Sequence, residues 1–328
     1  MKEAVLYKKL ANGKVQCTAC NHYCVIPEGK TGICGVRKNI DGKLYLLVYG
    51  VVVAQNVDPI EKKPLYHFLP GTKVYSIGTV GCNFRCAFCQ NWDISQTRVS
   101  VGEKMTPEEI VSSAVKNGCK SIAYTYNEPT IFAEYISDTA KLAKKKHLKN
   151  ILVTNGYMSK ECLDYLAPNI DAANVDLKAF SDKFYKKHTA ARLKPVLDTI
   201  KRMHKRGIWL EITTLIIPGE NDSSEELEKI AKFISKIDKN IPWHISRFYP
   251  QYKMQDKNPT PLKSLRTAKK IGEKYLKYVY VGNVYEDSHT FCKTCNNPII
   301  ERRGYYIENK MKRNKCPFCG NDVEGVFE

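Results

Sequence analysis

The sequence predicts an α/β protein built on a partial (β/α)6 barrel of the TIM type, with small cysteine-rich metal-binding modules at both ends. Two observations carry this. Between residues 72 and 283, short β-branched runs alternate with amphipathic stretches, the pattern of parallel strands joined by right-handed helical crossovers. Eleven of the 13 cysteines fall into three tight clusters, one before that region, one inside it and one after it. Clustered thiols in a chain of this size mean metal rather than disulfides. The predicted division is therefore an N-terminal module over 1–71, the barrel over 72–283 and a C-terminal module over 284–328.

The N-terminal module opens on Cys17, Cys20, Cys24 and Cys34, spaced C-x2-C-x3-C-x9-C. Four thiols so close together leave too little chain for an apolar core, so a metal organises the segment. Spacing alone leaves zinc and an auxiliary iron–sulfur cluster both open. His22 lies between these ligands, as a substitute ligand or, more simply, a hydrogen-bond partner. Asp41-Gly42 marks a hairpin turn between short strands, and residues 58–71 link this module to the barrel.

Candidate barrel strands cover 73–81, 121–126, 151–154, 172–177, 209–215 and 243–248. Helices are expected over 106–118, 131–146, 195–206 and 224–237; the first has Thr106 as N-cap, Pro107 at the first helical position and Glu109 to complete a capping box. Reactive groups belong at the C-terminal ends of such strands. Those ends carry Cys82, Cys86 and Cys89, then Asn127 and Glu128, Asn155, Asp176 and Lys178, Glu211 or Thr214, and His244 with Arg247. The spacing C-x3-C-x2-C is the most informative of these. A closed zinc or iron–sulfur site takes four protein ligands, so three thiolates on one loop hold a [4Fe–4S] cluster by three corners and leave one iron open.

In the C-terminal module, Cys292-x2-Cys295 and Cys316-x2-Cys319 flank strands expected over 299–303 and 305–307. This is zinc-ribbon spacing, with zinc preferred over a rubredoxin-type iron. Cys119 and Cys162 stand alone and read as small buried residues. The formal charge of +18 admits a nucleic-acid partner, but the lysines are spread over every helix, which favours solvated faces. No stretch is apolar enough for a membrane span or signal peptide, so a cytoplasmic protein without membrane partners is expected.

The motifs Gly-Cys-Asn-Phe-Arg-Cys-Ala-Phe-Cys-Gln-Asn-Trp (81–92), Tyr-Thr-Tyr-Asn-Glu-Pro-Thr-Ile-Phe (124–132), Val-Thr-Asn-Gly-Tyr (153–157), Asn-Val-Asp-Leu-Lys (174–178), Thr-Leu-Ile-Ile-Pro-Gly-Glu-Asn-Asp (214–222), His-Ile-Ser-Arg-Phe-Tyr-Pro (244–250) and Tyr-Val-Gly-Asn-Val (280–284) follow in order. Together they resemble the radical S-adenosylmethionine (SAM) enzyme of the AmmeMemoRadiSam system, related to pyruvate formate-lyase activating enzymes. The resemblance implies a [4Fe–4S] cluster on Cys82, Cys86 and Cys89, and SAM as cofactor. It places Phe88 against the adenine, Glu128 and Asn127 at the SAM ammonium, Asn155 near the ribose or carboxylate, and Lys178, oriented by Asp176, on the carboxylate; His244 is a further cofactor contact. Both glycines of the usual Gly-Gly-Glu are absent before Glu128, and Val153 stands where the activating enzymes carry an aspartate that helps hold a cation. The implied reaction abstracts hydrogen from a protein or other substrate, with a flavodoxin- or ferredoxin-like electron donor. Alternatives are a radical SAM modifier of RNA or a small molecule, and a non-catalytic metal-rich nucleic-acid-binding protein.

Overall fold

The computed structural model describes residues 1–304 and 306–328. Its centre is an eight-stranded sheet with the strand order Val279–Gly282, Trp243–Arg247, Trp209–Ile216, Ala172–Asp176, Lys149–Thr154, Ser121–Tyr124, Lys73–Gly78 and Ala54–Pro59. The six expected parallel strands are all present, and two more extend the sheet. Val279–Gly282 adds a seventh parallel strand beside Trp243–Arg247, and Ala54–Pro59 runs antiparallel along the whole of Lys73–Gly78. Neither carries a long apolar run of its own; each is a strand because a neighbour's free edge supplies its hydrogen bonds.

The first long helix, Pro107–Lys116, starts on the expected reciprocal cap: Thr106 Oγ1 accepts from Glu109 N at 3.2 Å, and Thr106 N donates to Glu109 Oε2 at 2.7 Å. Helices Leu193–Lys205 and Ser224–Ile237 also lie where the periodicity puts them, while Ala133–Lys145 begins only after a 3-10 turn over Pro129–Phe132. Three further helices, Lys160–Leu166, Asp182–Thr189 and Leu262–Gly272, complete the outer layer. Ile122, Leu152, Val175, Ile212 and Ile245, one from each of five strands, are fully buried between helices and sheet. No helix among the described residues is long and apolar enough to cross a membrane.

The N-terminal hairpin pairs Arg37–Ile40 with Lys43–Leu46, and Asp41 and Gly42 both take positive φ (52° and 69°), as a two-residue turn of this hand requires. Arg37 fastens the module to the barrel. Its Nη1 and Nη2 donate to the two Glu134 oxygens at 3.0 and 2.5 Å and its Nε to Ile131 O at 2.9 Å, with both charged side chains 1% exposed. At the other end, Thr290–Phe291, Pro298–Arg303 and Tyr306–Asn309 form a three-stranded antiparallel sheet. Of the expected second strand here, Tyr305 lies outside the described residues. Arg302 docks this sheet on the barrel, donating to Tyr66 O at 2.7 Å with its guanidinium 4.3 Å above the Tyr66 ring.

Candidate active site and metal centres

The loop after Lys73–Gly78 turns sharply at Gly81, where φ is +88° and an added Cβ would lie 2.6 Å from Cys34 O, so only glycine fits. Backbone bonds from the neighbouring helix end then hold the cysteines: Arg85 N and Ala87 N donate to Thr189 O and His188 O, both at 2.9 Å. From the other side Lys253 N donates to Ala87 O at 2.9 Å. Cys82, Cys86 and Cys89 therefore present their thiols to one cavity of about 590 Å³, which also reaches the ends of the following strands. Among the described residues, no fourth cysteine and no histidine lines it.

Phe88, Asn127, Glu128, Asn155, Asp176 and Lys178 all border this cavity. Lys178 Nζ lies 3.0 Å from Asp176 Oδ2 and 5.6 Å from the centre of the Phe88 ring. Burial works against the Lys178 charge, but Asp176 and Cys86 outweigh it and hold its pKa above the ordinary value, so it is a fixed cation. Burial pushes the Cys86 thiol up to about 12, with Lys178 opposing.

The remaining polar groups are already engaged with the protein. Asn127 Nδ2 donates to Thr79 Oγ1 and Gly81 O, both at 2.9 Å, stapling the entry to the cysteine loop. Glu128 accepts from Thr130 N (3.0 Å), Thr130 Oγ1, Thr154 Oγ1 (2.7 Å) and Asn155 N (2.8 Å). Asn155 Nδ2 donates to Asn83 Oδ1 at 2.8 Å. These three side chains brace the strand ends, and Lys178 is a charged donor on the cavity wall.

His244 does not line the cavity. It shares the inward face of its strand with Ser246, which does, but lies one layer deeper, where its Nε2 meets Glu211 Oε2 at 2.6 Å. Glu211 also accepts from His67 N at 2.8 Å and Tyr66 N at 2.9 Å, so this pair plugs the barrel floor. Thr214 faces the other side of its strand and accepts from Trp243 Nε1, and Arg247 turns outward to Thr260 O. The residues at the cavity are instead Thr213 and Ser246. Sequence reasoning also passed over Asp58, Lys63 and Tyr126, which form a second charged wall: Asp58 Oδ2 accepts from Lys63 Nζ at 2.7 Å and Tyr126 OH at 2.9 Å. The run Asp58-Pro59-Ile60-Glu61-Lys62-Lys63, dense in charge for a linker, was the available signal.

In the C-terminal module the four thiols converge. Cys292 and Cys319 sulfurs are 3.7 Å apart, as are those of Cys295 and Cys316, and all four lie within 4.8 Å of one another. Asn297 N–H groups hold the Cys295 thiol down to about 6.

Residues 76–234, from the cysteine-loop strand through four more strands, match the family model of the radical SAM superfamily. An uncharacterized protein of Methanocaldococcus jannaschii is 44% identical over 337 residues, the whole of both chains. This chain belongs to the radical SAM superfamily. A second relative from that organism, a putative glycyl-radical enzyme activating enzyme, is 34% identical over 207 residues, 61% of this chain and 77% of the relative. Among solved structures, a radical SAM methyltransferase from Sphaerobacter thermophilus matches with a TM-score of 0.53 and 16% identity, over 66% of this chain and 67% of that one. Radical SAM chemistry requires a [4Fe–4S] cluster and SAM, and the cavity suits both in its donor set. Three thiols, with no fourth cysteine or histidine among the described lining residues, would hold such a cluster by three of its irons, and the buried Thr213 Oγ1 has no protein hydrogen-bond partner among the described residues.

Proposed function

We propose that this protein is a radical SAM oxidoreductase of the AmmeMemoRadiSam type, related to glycyl-radical activating enzymes, acting on a protein substrate. The observation that carries this reading is the cavity itself: three loop cysteines, with no fourth cysteine and no histidine among the described lining residues, sharing it with Phe88 and the Asp176–Lys178 pair. Cys82, Cys86 and Cys89 are the cluster ligands. With cluster and SAM bound, one-electron reduction of the sulfonium supplies methionine and a 5′-deoxyadenosyl radical that abstracts hydrogen from a substrate carbon. Lys178 donates to the SAM carboxylate, Asp176 orients Lys178, and Phe88 offers the apolar face for the adenine. Asn127, Glu128 and Asn155 hold the strand ends at which these groups converge. The C-terminal thiols bind one structural zinc, since their sulfurs are already set for a tetrahedral ion.

The test is anaerobic reconstitution followed by incubation with SAM and a low-potential reductant. The expected result is formation of 5′-deoxyadenosine, lost in Cys86→Ala. Reconstituted protein that carries the cluster yet leaves SAM intact would refute the reading. Adding candidate glycyl-radical proteins from the same cell and following a carbon-centred radical by electron paramagnetic resonance tests the substrate class.

A further inference from the structure

Cys17, Cys20 and Cys34 are buried and Cys24 is partly so, and all four line one enclosed cavity of about 10 Å³. That is the space of a single ion or water. The sulfurs stand around it more loosely than the C-terminal four, which are the group within 4.8 Å of one another among the described residues, so an ion has room to enter between them. A buried water needs two to four polar partners, and this wall serves it poorly. Arg37 already donates to Glu134 and Ile131 O, His22 Nε2 is engaged with Asn83 O, and Ile33 and Ile131 are apolar. The backbone instead prepares the sulfurs for negative charge. The N–H groups of Ala19, His22 and Val36 donate to the sulfurs of Cys17, Cys20 and Cys34, in each case two residues earlier, and Ile33 N–H serves Cys24. Thr294, Asn297 and Phe318 do the same, at the same spacing, for Cys292, Cys295 and Cys316. Amide donors aimed at sulfur stabilise a metal-bound thiolate. Asn83, which also lines the cavity, is 1% exposed, and its Nδ2 has no protein hydrogen-bond partner among the described residues; a thiolate gives that donor an acceptor.

The ligands also hold the catalytic loop. Asn83 follows Cys82 directly in the chain, and its carbonyl meets His22 Nε2 at 2.9 Å, with His22 lying between Cys20 and Cys24. Arg85, within the same loop, donates to Ile33 O, and Cys34 O packs against Gly81, where that loop turns. On the neighbouring strand end, Asn21 N donates to Tyr157 O at 3.0 Å. Each of these contacts comes from a residue that is a ligand or stands next to one, so whatever fixes the four thiols fixes the loop that carries Cys82, Cys86 and Cys89.

We propose that Cys17, Cys20, Cys24 and Cys34 bind a single zinc ion, which anchors the loop of Cys82, Cys86 and Cys89 to the N-terminal module. Four thiols with no carboxylate are a soft ligand set that excludes magnesium and calcium, and a closed four-thiolate site is the one zinc occupies without redox chemistry. A cavity of this size takes one ion and leaves no room for a four-iron cube. The zinc assignment stands without the radical SAM reading, since neither the ligands nor the test calls on SAM.

Elemental analysis of the full chain, purified without oxygen from cells supplied with both metals, tests the assignment. About two zincs and about four irons are expected in the wild type, with about one zinc left in Cys24→Ser and about one in Cys295→Ser, at unchanged iron. About eight irons, a fifth iron in place of the second zinc, or a Cys295→Ser protein with no zinc would overturn it. The Cys295→Ser protein keeps all four N-terminal thiols, so its count decides the matter even where Cys24→Ser does not fold. The anchoring role is read by amide hydrogen exchange. Loss of the N-terminal zinc in Cys24→Ser should speed exchange over 81–89 at least about tenfold and leave the strand Trp209–Ile216 unchanged. His22→Phe should retain both zincs and show part of the same rise over 81–89. Wild-type exchange over 81–89 in His22→Phe, with both zincs bound, would overturn the anchoring role. Two zincs in a protein whose iron cluster leaves SAM intact would refute the radical SAM reading and leave the zinc site standing.

Discussion

Replacing Lys178 by methionine tests the site at the cation that faces Phe88 and Asp176. The ammonium stands 3.0 Å from Asp176 Oδ2, with the lysine side chain 13% and the aspartate 36% exposed. At an effective dielectric of ~20 the gross attraction at that distance is about 5 kcal/mol, but the exposed edge of Asp176 lets solvent screen much of it. What SAM loses is a charge-assisted hydrogen bond to its carboxylate, about 1.5–3 kcal/mol, so its affinity should fall about ten- to a hundredfold. The variant also leaves Asp176 uncompensated beside an incoming carboxylate, so adding Asp176→Asn should restore part of the loss. The assay is a SAM titration of the reconstituted protein, followed through the electron paramagnetic resonance of the reduced cluster. Because Lys178 is held above its ordinary pKa, the wild-type affinity should show no lysine titration through neutral pH. Unchanged affinity in Lys178→Met, with the cluster signal intact, would refute the assignment.

Glu128→Gln places an amide among four donors, so it should cost about 1–3 kcal/mol in urea denaturation and weaken SAM binding less than Lys178→Met does. Cys295→Ser should remove the C-terminal zinc and leave the iron content unchanged, as elemental analysis would show. His244→Phe leaves Glu211 without its histidine hydrogen-bond partner on the barrel floor; it should destabilise the fold by about 1–3 kcal/mol while leaving SAM affinity near wild type. Glu220 is only partly buried, and although that burial raises its pKa, Lys257, His188 and Lys187 hold it at about 2, below its ordinary 4.5. Its depressed folded value means that its contribution is complete above pH 4.5 and is lost as pH falls towards 2; the urea midpoint of Glu220→Gln should therefore vary less with pH across that window.

Read alone, the sequence determined the class of the fold, the six parallel strands of its centre and the three groups of thiols. Each of these is written in local spacing. Alternating strand and helix periods survive without tertiary context, a capping box such as Thr106 to Glu109 is satisfied within one turn, and a C-x3-C-x2-C loop brings its own ligands together. The tertiary structure decided which side chains at the strand ends reach the cavity. Trp209–Ile216 carries apolar residues on both faces, as a buried parallel strand does, so its composition does not show which phase points inward. Only the barrel places Thr213 and Ser246 at the mouth, and Glu211 and His244 one layer below them. The same holds for the outermost strands. Neither Ala54–Pro59 nor Val279–Gly282 carries a long apolar run, and each forms because a neighbouring edge offers unpaired N–H and C=O groups, a condition set by the folded sheet rather than by either segment.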